Sequence, residues 1–268
     1  MNPGVRGILV VLILCLGLSP RIGSASGYDP TGDYEVRQMD GWTLRINQKL
    51  AGGDALLFKA TLRLLEFQLY QITRVVPAAA LARLREIPIW IELDDTRFPC
   101  MCYHPSPDWL REHDINPEKA GGVEIANAKN FLNWTKDQPW MVLHELAHSY
   151  HHRVLNFENP EIKAAYEKAK GSKTYDRVLR INGRRESHYA LTDEQEYFAE
   201  ATEAYFGTND FFPFVRAELK EHDPEMFKLL EKVWCVEKAS GEPKEKPASE
   251  QGRSQPVNLT TKPSQPGH

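Results

Sequence analysis

The hydrophobic pattern in the first half of the chain predicts a hairpin, a helix and a strand. Residues 34–46 alternate apolar and polar side chains on either side of the Asp40–Gly41 pair, which is typical of a β-hairpin with a tight turn. Leucines and an isoleucine recur at helical spacing over residues 54–76, and Pro77 ends that helix or starts a short one. Residues 87–93 are mostly apolar and therefore predict a strand.

The second half of the chain predicts mostly helices. Residues 94–120 are rich in Pro, Asp, Cys and His and indicate a long ordered loop, and residues 122–127 predict a short strand. Asp137 is expected to cap the first of the later helices, and Thr192 with Gln195 forms a capping box for the third. The predicted later elements are helices over residues 137–155, 160–170, from Thr192 onward and 213–236, with a strand over 175–181.

These elements together predict an α+β fold. A small twisted sheet is expected in the first half, and the C-terminal half is mainly helical. The predicted organisation is a signal peptide over residues 1–26, an N-terminal hairpin and helix over 27–84, a core over 85–236 and a disordered tail over 237–268. The tail is assigned as disordered because it has almost no apolar residues with which to offset the entropy of ordering.

The first 26 residues have the pattern of a secretory signal peptide. Arg6 provides the positive start, residues 8–18 form an apolar run, and small residues at 23–26 offer cleavage sites. The run reaches only about half-way across a bilayer, which favours a cleaved signal over a permanent anchor. We therefore expect an exported protein, either secreted or periplasmic, with no stable membrane insertion after cleavage.

Net charge bears on the class of partner, and the cysteines bear on disulfide formation. The formal net charge of −4 argues against a nucleic-acid partner. Cys100, Cys102 and Cys235 remain after signal cleavage, and one disulfide with one remaining thiol is plausible in an oxidising compartment. The sequence does not choose the pair, and the Cys100–Cys102 spacing is a weak metal signal, so a bridge or buried thiols in a loop is the preferred interpretation.

A metal-binding pattern lies in the middle of the helix predicted from Asp137. His144 and His148 are four residues apart and project from one face of a helix, which suits two adjacent ligands of a tetrahedral zinc ion. Glu145 lies between them and is placed to accept a proton from water. Two partly buried histidines on an amphipathic helix would give the same pattern, so a third ligand is needed.

The third ligand is expected to be an acid on another helix. A third histidine in the metzincin pattern is excluded, because Val154 stands where that histidine is required. The helix from Thr192 carries Glu196, Glu200 and Glu203 on one face. Their spacing suits a ligand at Glu196 followed by a carboxylate at Glu200 that orients a zinc histidine, whereas Glu203 is expected on a solvated helix face.

At this point two motifs resemble a known family. The segment His144–His148 together with residues 189–201 looks like the catalytic domain of anthrax lethal factor and its secreted relatives, which are gluzincin-type zinc metallopeptidases. In that family a zinc glutamate opens a helix of the type Glu-Phe-Phe-Ala-Glu-Ala, and here Glu196 begins the matching segment. The family also has a catalytic tyrosine seven residues before that glutamate, which corresponds to Tyr189. The resemblance covers roughly residues 85–236.

The resemblance implies a zincin-like peptidase domain with one Zn²⁺. It assigns His144, His148 and Glu196 as metal ligands, Glu145 as the general base and Glu200 as the acid beside a ligand. Tyr189 would stabilise the oxyanion, although its neighbour His188 could donate the same hydrogen bond. The chain is far shorter than the toxin, so the resemblance implies a peptide or protein substrate but not that toxin's substrate.

Three further features are a strand before the metal helix, a pair of histidines and a group of arginines. Zincins of this type place an edge strand before the metal helix, which here would be formed by Gly122, Val123, Glu124 and Ile125 and would pair with the substrate backbone. His151 and His152 are expected on the rim of the metal helix. Arg180 belongs to a local basic patch, with Arg177, Arg184 and Arg185, that is typical of a solvated turn.

The sequence therefore gives a leading hypothesis and two alternatives. The leading hypothesis is a secreted zinc-dependent metalloendopeptidase. The first alternative is a non-catalytic, exported zinc-binding module that binds a protein partner, and the second is a purely structural secreted helical protein. The presence of both Glu145 and Tyr189 argues against the first alternative, because a module without turnover would be free to lose either.

Overall fold

The computed structural model describes residues 27–234 of the chain. The predicted signal peptide over residues 1–26, the predicted disordered tail over 237–268 and Cys235 lie outside the described residues. The described part is an α+β fold with a small sheet, as the pattern predicted. None of its helices is sufficiently long and apolar to cross a membrane.

The main sheet has parallel strands in its centre and antiparallel strands at both edges. Its strands are β1 (Tyr34–Met39), β2 (Trp42–Asn47), β3 (Ile89–Ile91), β4 (Met101–Tyr103) and β5 (Val123–Ile125). The spatial order is β1-β2-β3-β5-β4, with β2, β3 and β5 parallel. The hairpin of β1 and β2 turns at Asp40 and Gly41, both with positive φ, which confirms the predicted turn.

Ten helices accompany the sheets within residues 27–234. They are α1 (Gln48–Ala51), α2 (Ala55–Val75), α3 (Ala78–Leu84), α4 (Pro107–Glu112), α5 (Ala128–Trp134), α6 (Met141–Tyr150), α7 (Pro160–Ser172), α8 (Glu194–Phe206), α9 (Arg216–His222) and α10 (Pro224–Val233). A small second sheet pairs β6 (Val178–Leu179) with β7 (Arg185–Glu186). Helix α6 packs against α8, β4, α2 and α3, so it lies at the centre of the core.

The long helix α2 has the capping residue and the buried positions that the periodic pattern predicted. The Asp54 carboxylate accepts hydrogen bonds from two backbone N–H groups of the first turn, which caps the helix where the sequence predicted its start. Leu65, Leu69 and Ile72 recur at helical spacing and are buried. Burial of each such side chain contributes about 1.5–3 kcal/mol to folding.

Two predicted helix starts were wrong by one or more residues. The backbone N–H of Asp137 donates to the carbonyl of Trp134, so Asp137 closes the turn after α5, and α6 begins only at Met141. For α8, the capping side chain is Asp193 rather than Thr192, since the Asp193 carboxylate accepts from the backbone N–H groups of Gln195 and Glu196.

Other predicted segments differ in extent. The predicted loop over residues 94–120 contains β4 and α4, and the strand predicted over 175–181 is reduced to the two residues of β6. The last helix, predicted over 213–236, is two helices. Asp223 accepts a hydrogen bond from the N–H of Met226, and Pro224 takes the first position of α10, where a missing N–H costs nothing.

His151 is buried, although it was predicted on the rim of the metal helix. It begins a π-helical turn, His151–Leu155, that continues α6. Its side chain is fully buried against the rings of Phe157 and Phe198, and neither ring nitrogen has a hydrogen-bond partner within residues 27–234. Burial, with smaller repulsion from neighbouring cationic groups, lowers the pKa of His151 to about 3.

We therefore expect His151 to reduce stability in acid. The unfolded chain takes up a proton at this imidazole near its ordinary pKa, whereas the folded chain does not, so stability is lost as pH falls below about 6.5. The variant His151→Leu should flatten the dependence of the unfolding free energy on pH between about 7 and 5, as measured by urea unfolding. His113→Leu, at an exposed histidine, is the control, and an unchanged slope in His151→Leu would contradict the expectation.

Candidate metal centre

Two packed helices bring the predicted ligands together. His144 and His148 lie one turn apart on α6, and Glu196 lies in the first turn of α8, whose start is fixed by the Asp193 cap. Because α6 and α8 pack against each other, the carboxylate reaches both imidazoles. The sequence motifs thus correspond to one cluster in space.

The three ligand atoms form a small triangle. The distance from His144 Nε2 to His148 Nε2 is 3.1 Å, and Glu196 Oε2 lies 3.0 Å from the first and 3.5 Å from the second. A tetrahedral ion with bonds of about 2.0–2.1 Å requires ligand atoms about 3.3 Å apart. The cluster therefore fits a metal ion with little movement of its side chains.

The charges of the cluster also favour a cation. Burial opposes a charged His144, but the carboxylates of Glu196 and Glu203 outweigh that effect and raise its pKa well above the ordinary value. Burial likewise opposes ionisation of Glu196, but hydrogen bonds to His144 and His148 lower the pKa of this carboxyl strongly. The surroundings thus stabilise positive charge at the point where the three ligand atoms meet.

The carboxylate that orients His144 is Glu203, not Glu200 as predicted. His144 Nδ1 lies 2.7 Å from Glu203 Oε1 and 3.8 Å from the nearer oxygen of Glu200. Seven residues nearly complete two helical turns, so Glu203 returns to within about 20° of Glu196, whereas a step of four residues leaves Glu200 about 40° away. Glu203 is buried and does not lie on a solvated face.

Glu200 has different partners in the same region. Its Oε2 accepts a hydrogen bond of 2.8 Å from Asn209 Nδ2. Burial, together with the neighbouring Glu203, raises the pKa of Glu200 well above the ordinary value. Burial raises the pKa of Glu203 as well, so the shorter distance to His144 Nδ1 is what identifies Glu203 as its partner.

This arrangement gives a testable distinction between two acids. Glu203→Gln should weaken metal binding about 10- to 100-fold, because a carboxylate fixes the orientation of His144 and increases its basicity. Glu200→Gln is the matched control and should change the metal Kd much less, since Glu200 lies 3.8 Å from His144 Nδ1 and makes no hydrogen bond to it. Metal titration of the chelator-treated proteins measures both constants. Equal losses in the two variants would assign the orienting role to the pair rather than to Glu203.

A cleft of about 560 Å³ opens over the cluster and contains the predicted catalytic side chains. Glu145 is partly exposed and lines it, together with Tyr189 from the short turn just before α8. His188, the rival of Tyr189, is buried and its Nδ1 accepts the N–H of Ala190. Only Tyr189 of these two neighbours lines the cleft.

The strand beside the cleft is not the predicted one. Residues Gly122, Val123, Glu124 and Ile125 were expected to supply an edge, but β5 is an interior strand with β3 on one side and β4 on the other. The edge strand is β4, and Met101, Cys102 and Tyr103 all line the cleft. Strand order depends on long-range pairing, which the local pattern did not contain.

Arg180 is a cleft residue that the sequence interpretation missed. Its guanidinium lies 3.0 Å from the carboxylate of Asp210 and 3.1 Å from that of Glu186. These contacts hold it beside the cleft rather than in a solvated turn. Four arginines lie within nine residues, and nothing in the sequence distinguishes Arg180 from the other three.

Within residues 27–234, Cys100 and Cys102 are not bridged to each other. Burial, with a contribution from the nearby Glu145 carboxylate, raises the pKa of Cys100 to about 12. Both cysteines line the cleft, and Cys100 Sγ contacts Met141 Sδ at 3.5 Å. This agrees with the prediction of buried thiols for Cys100, while any bridge to Cys235 lies outside the described residues.

Comparisons with known proteins do not assign this chain to a family. Family models, curated proteins and solved structures were each compared with the chain, and none of them matches.

Proposed function

We propose that this chain is an exported, zinc-dependent metalloendopeptidase with a zincin-like domain. One observation carries the proposal: His144, His148 and Glu196 converge within 3.5 Å of one another in a cleft that also contains Glu145 and Tyr189. The resemblance of the two motifs to lethal factor-like peptidases supports the same set of residues. The expected substrate is a peptide or a protein.

The donor atoms support zinc as the ion. Two imidazole nitrogens and one carboxylate oxygen form a ligand set that is typical of catalytic zinc, with a fourth position left for water or substrate. When bound, Zn²⁺ lowers the pKa of water toward neutrality and polarises a carbonyl group. The protein would bind this ion through His144, His148 and Glu196, and Glu203 would orient His144.

Glu145 is the proposed general base. It precedes Leu146 on the same helix as both histidines and lines the cleft, so its carboxylate can reach a water molecule beside the cluster. The carboxylate would accept the proton of the attacking water and deliver it to the leaving amine. This role requires no metal ligation by Glu145.

Tyr189 is proposed to stabilise the oxyanion. Burial and the nearby Glu196 carboxylate raise the pKa of Tyr189 to about 12, so its hydroxyl keeps its proton at neutral pH. Within residues 27–234 the hydroxyl donates no hydrogen bond to the protein. It is therefore free to donate one to the oxygen that becomes negative as the carbonyl is attacked.

The open edge of β4 is the proposed site for the substrate backbone. Cys102 pairs with Glu124 of β5, and the flanking residues Cys100 and His104 also hydrogen-bond toward that strand. In an antiparallel ladder the alternate residues, Met101 and Tyr103, then direct their backbone groups away from β5. An extended peptide can add to these groups as one further strand.

The proposal is tested by hydrolysis of an unbiased peptide library. The zinc-loaded protein should cleave internal bonds, lose activity after chelation and regain it when zinc is added back. Mass spectrometry of the products distinguishes internal from terminal cleavage. Zinc binding without any hydrolysis would support the non-catalytic module instead, and absence of zinc binding would contradict both.

A further inference from the structure

A second cluster of potential metal ligands lies where β4 pairs with β5. Cys102 of β4 is directly opposite Glu124 of β5, and His104 follows Cys102 by two residues. Because side chains alternate along extended chain, these three side chains share one face of the strand pair. None of the three belongs to the His144 cluster.

The ligand atoms of the three side chains converge on one point. Cys102 Sγ lies 3.5 Å from His104 Nε2, and that nitrogen lies 2.5 Å from Glu124 Oε2, with all three atoms within 4.8 Å of one another. A tetrahedral ion with a sulfur ligand at about 2.3 Å and a nitrogen ligand at about 2.0 Å separates these two atoms by about 3.5 Å. The carboxylate oxygen has to withdraw from His104 Nε2 by less than about 1 Å.

The same contacts argue against a cysteine nucleophile. In a Cys–His–Glu relay the thiol and the carboxylate contact different nitrogens of the imidazole. Here Nε2 of His104 contacts both Cys102 Sγ and Glu124 Oε2. Burial and the Glu124 charge also raise the pKa of the Cys102 thiol, so the cluster does not activate a thiolate.

One buried ammonium lies between two buried carboxylates beside the cluster. Lys119 Nζ binds Glu92 Oε1 at 2.7 Å and Glu124 Oε1 at 2.5 Å, and all three side chains are buried. One ammonium therefore serves two carboxylates, and buried charge is costly unless it is balanced. A cation held by Glu124 Oε2, in place of the proton that His104 Nε2 now shares with it, would add to that balance, and Lys119 would fix the carboxylate as an outer partner.

We propose that Cys102, His104 and Glu124 form a second site for a thiophilic divalent cation such as zinc. Binding would release the thiol proton, and any proton on His104 Nε2, to solvent. Cys102 is partly exposed and lines the cleft, which provides a path for the ion and leaves a fourth position for water. The ion would tie the edge strand β4 to β5 and so stiffen the wall of the cleft.

Cobalt titration tests the site, because a thiolate bound to Co²⁺ gives a near-ultraviolet charge-transfer band. The His144 cluster has no sulfur ligand, so of the two clusters within residues 27–234 only the second can produce this band. The chelator-treated, reduced full chain should bind two equivalents of Co²⁺ and show the band. Cys102→Ser should abolish the band and lower the stoichiometry by one, and His104→Asn should weaken the binding that produces the band at least about tenfold.

Two controls keep this result separate from the proposed function. Cys100→Ser changes a neighbouring buried thiol outside the cluster and should keep both the band and the stoichiometry. His148→Ala should lose the other equivalent while it retains the band. Absence of the band in the wild type, or equal loss in Cys100→Ser and Cys102→Ser, would overturn the second site whatever the outcome at His144.

Discussion

Replacement of Glu145 by glutamine is expected to abolish peptide hydrolysis while the protein keeps its metal. The change removes the group that accepts a proton in the proposed reaction but leaves His144, His148 and Glu196 in place. Loss of a general base typically costs about 10²–10⁴-fold in rate, which would bring hydrolysis close to background. The measurement is kcat/KM on a peptide found by the library, with metal content determined on the same sample.

The interpretation of Glu145→Gln depends on two comparisons. Glu112→Gln, on the exposed helix α4, is the matched control and should keep full activity. If Glu145→Gln retains substantial activity with metal bound, the base is another group of the cleft. If it loses the metal as well, Glu145 contributes to the binding site and its proposed role is wrong.

The second large effect is expected at Glu196. Glu196→Ala removes one of three converging donors and should raise the metal Kd by at least about 100-fold, since loss of even an outer partner typically costs 10- to 100-fold. Hydrolysis should fall with metal content. The increase in Tm that zinc gives the wild type, which follows from binding to the folded state alone, should disappear in the variant.

Glu194→Ala is the control for this experiment. Glu194 lies in the same first turn of α8, and its nearest cation is Lys163 at 3.9 Å rather than the cluster. The control should bind metal as the wild type does. If Glu200→Ala loses the metal while Glu196→Ala keeps it, the ligand lies one helical turn further along α8.

Local geometry explains which parts of the site were predictable from sequence. His144 and His148 share a face because a helix repeats every 3.6 residues, and this holds wherever the helix packs. Glu196 was found through a motif resemblance, and the structure brings it to the same point. Its role as a ligand remains a prediction, but its position beside both histidines was anticipated correctly.

The errors arose where packing between elements decides the outcome. The choice between Glu200 and Glu203 depends on how α8 is rotated against α6, and both acids fall on one broad face of a helical wheel. The position of β5 inside the sheet depends on β4, a strand of only three residues with no detectable alternation. The pattern of residues within one segment does not show how a helix is rotated against its neighbour or in which order strands pair in a sheet.

The two edge strands of the main sheet affect self-association of the protein. The outer strand β1 exposes Glu35, Val36, Arg37 and Gln38 in succession, and charged side chains on an edge disfavour pairing with another chain. The opposite edge, β4, offers only three residues within a cleft. Copies of this protein should therefore resist joining edge to edge into fibrils at high concentration, and the proposed substrate strand would add at the β4 edge.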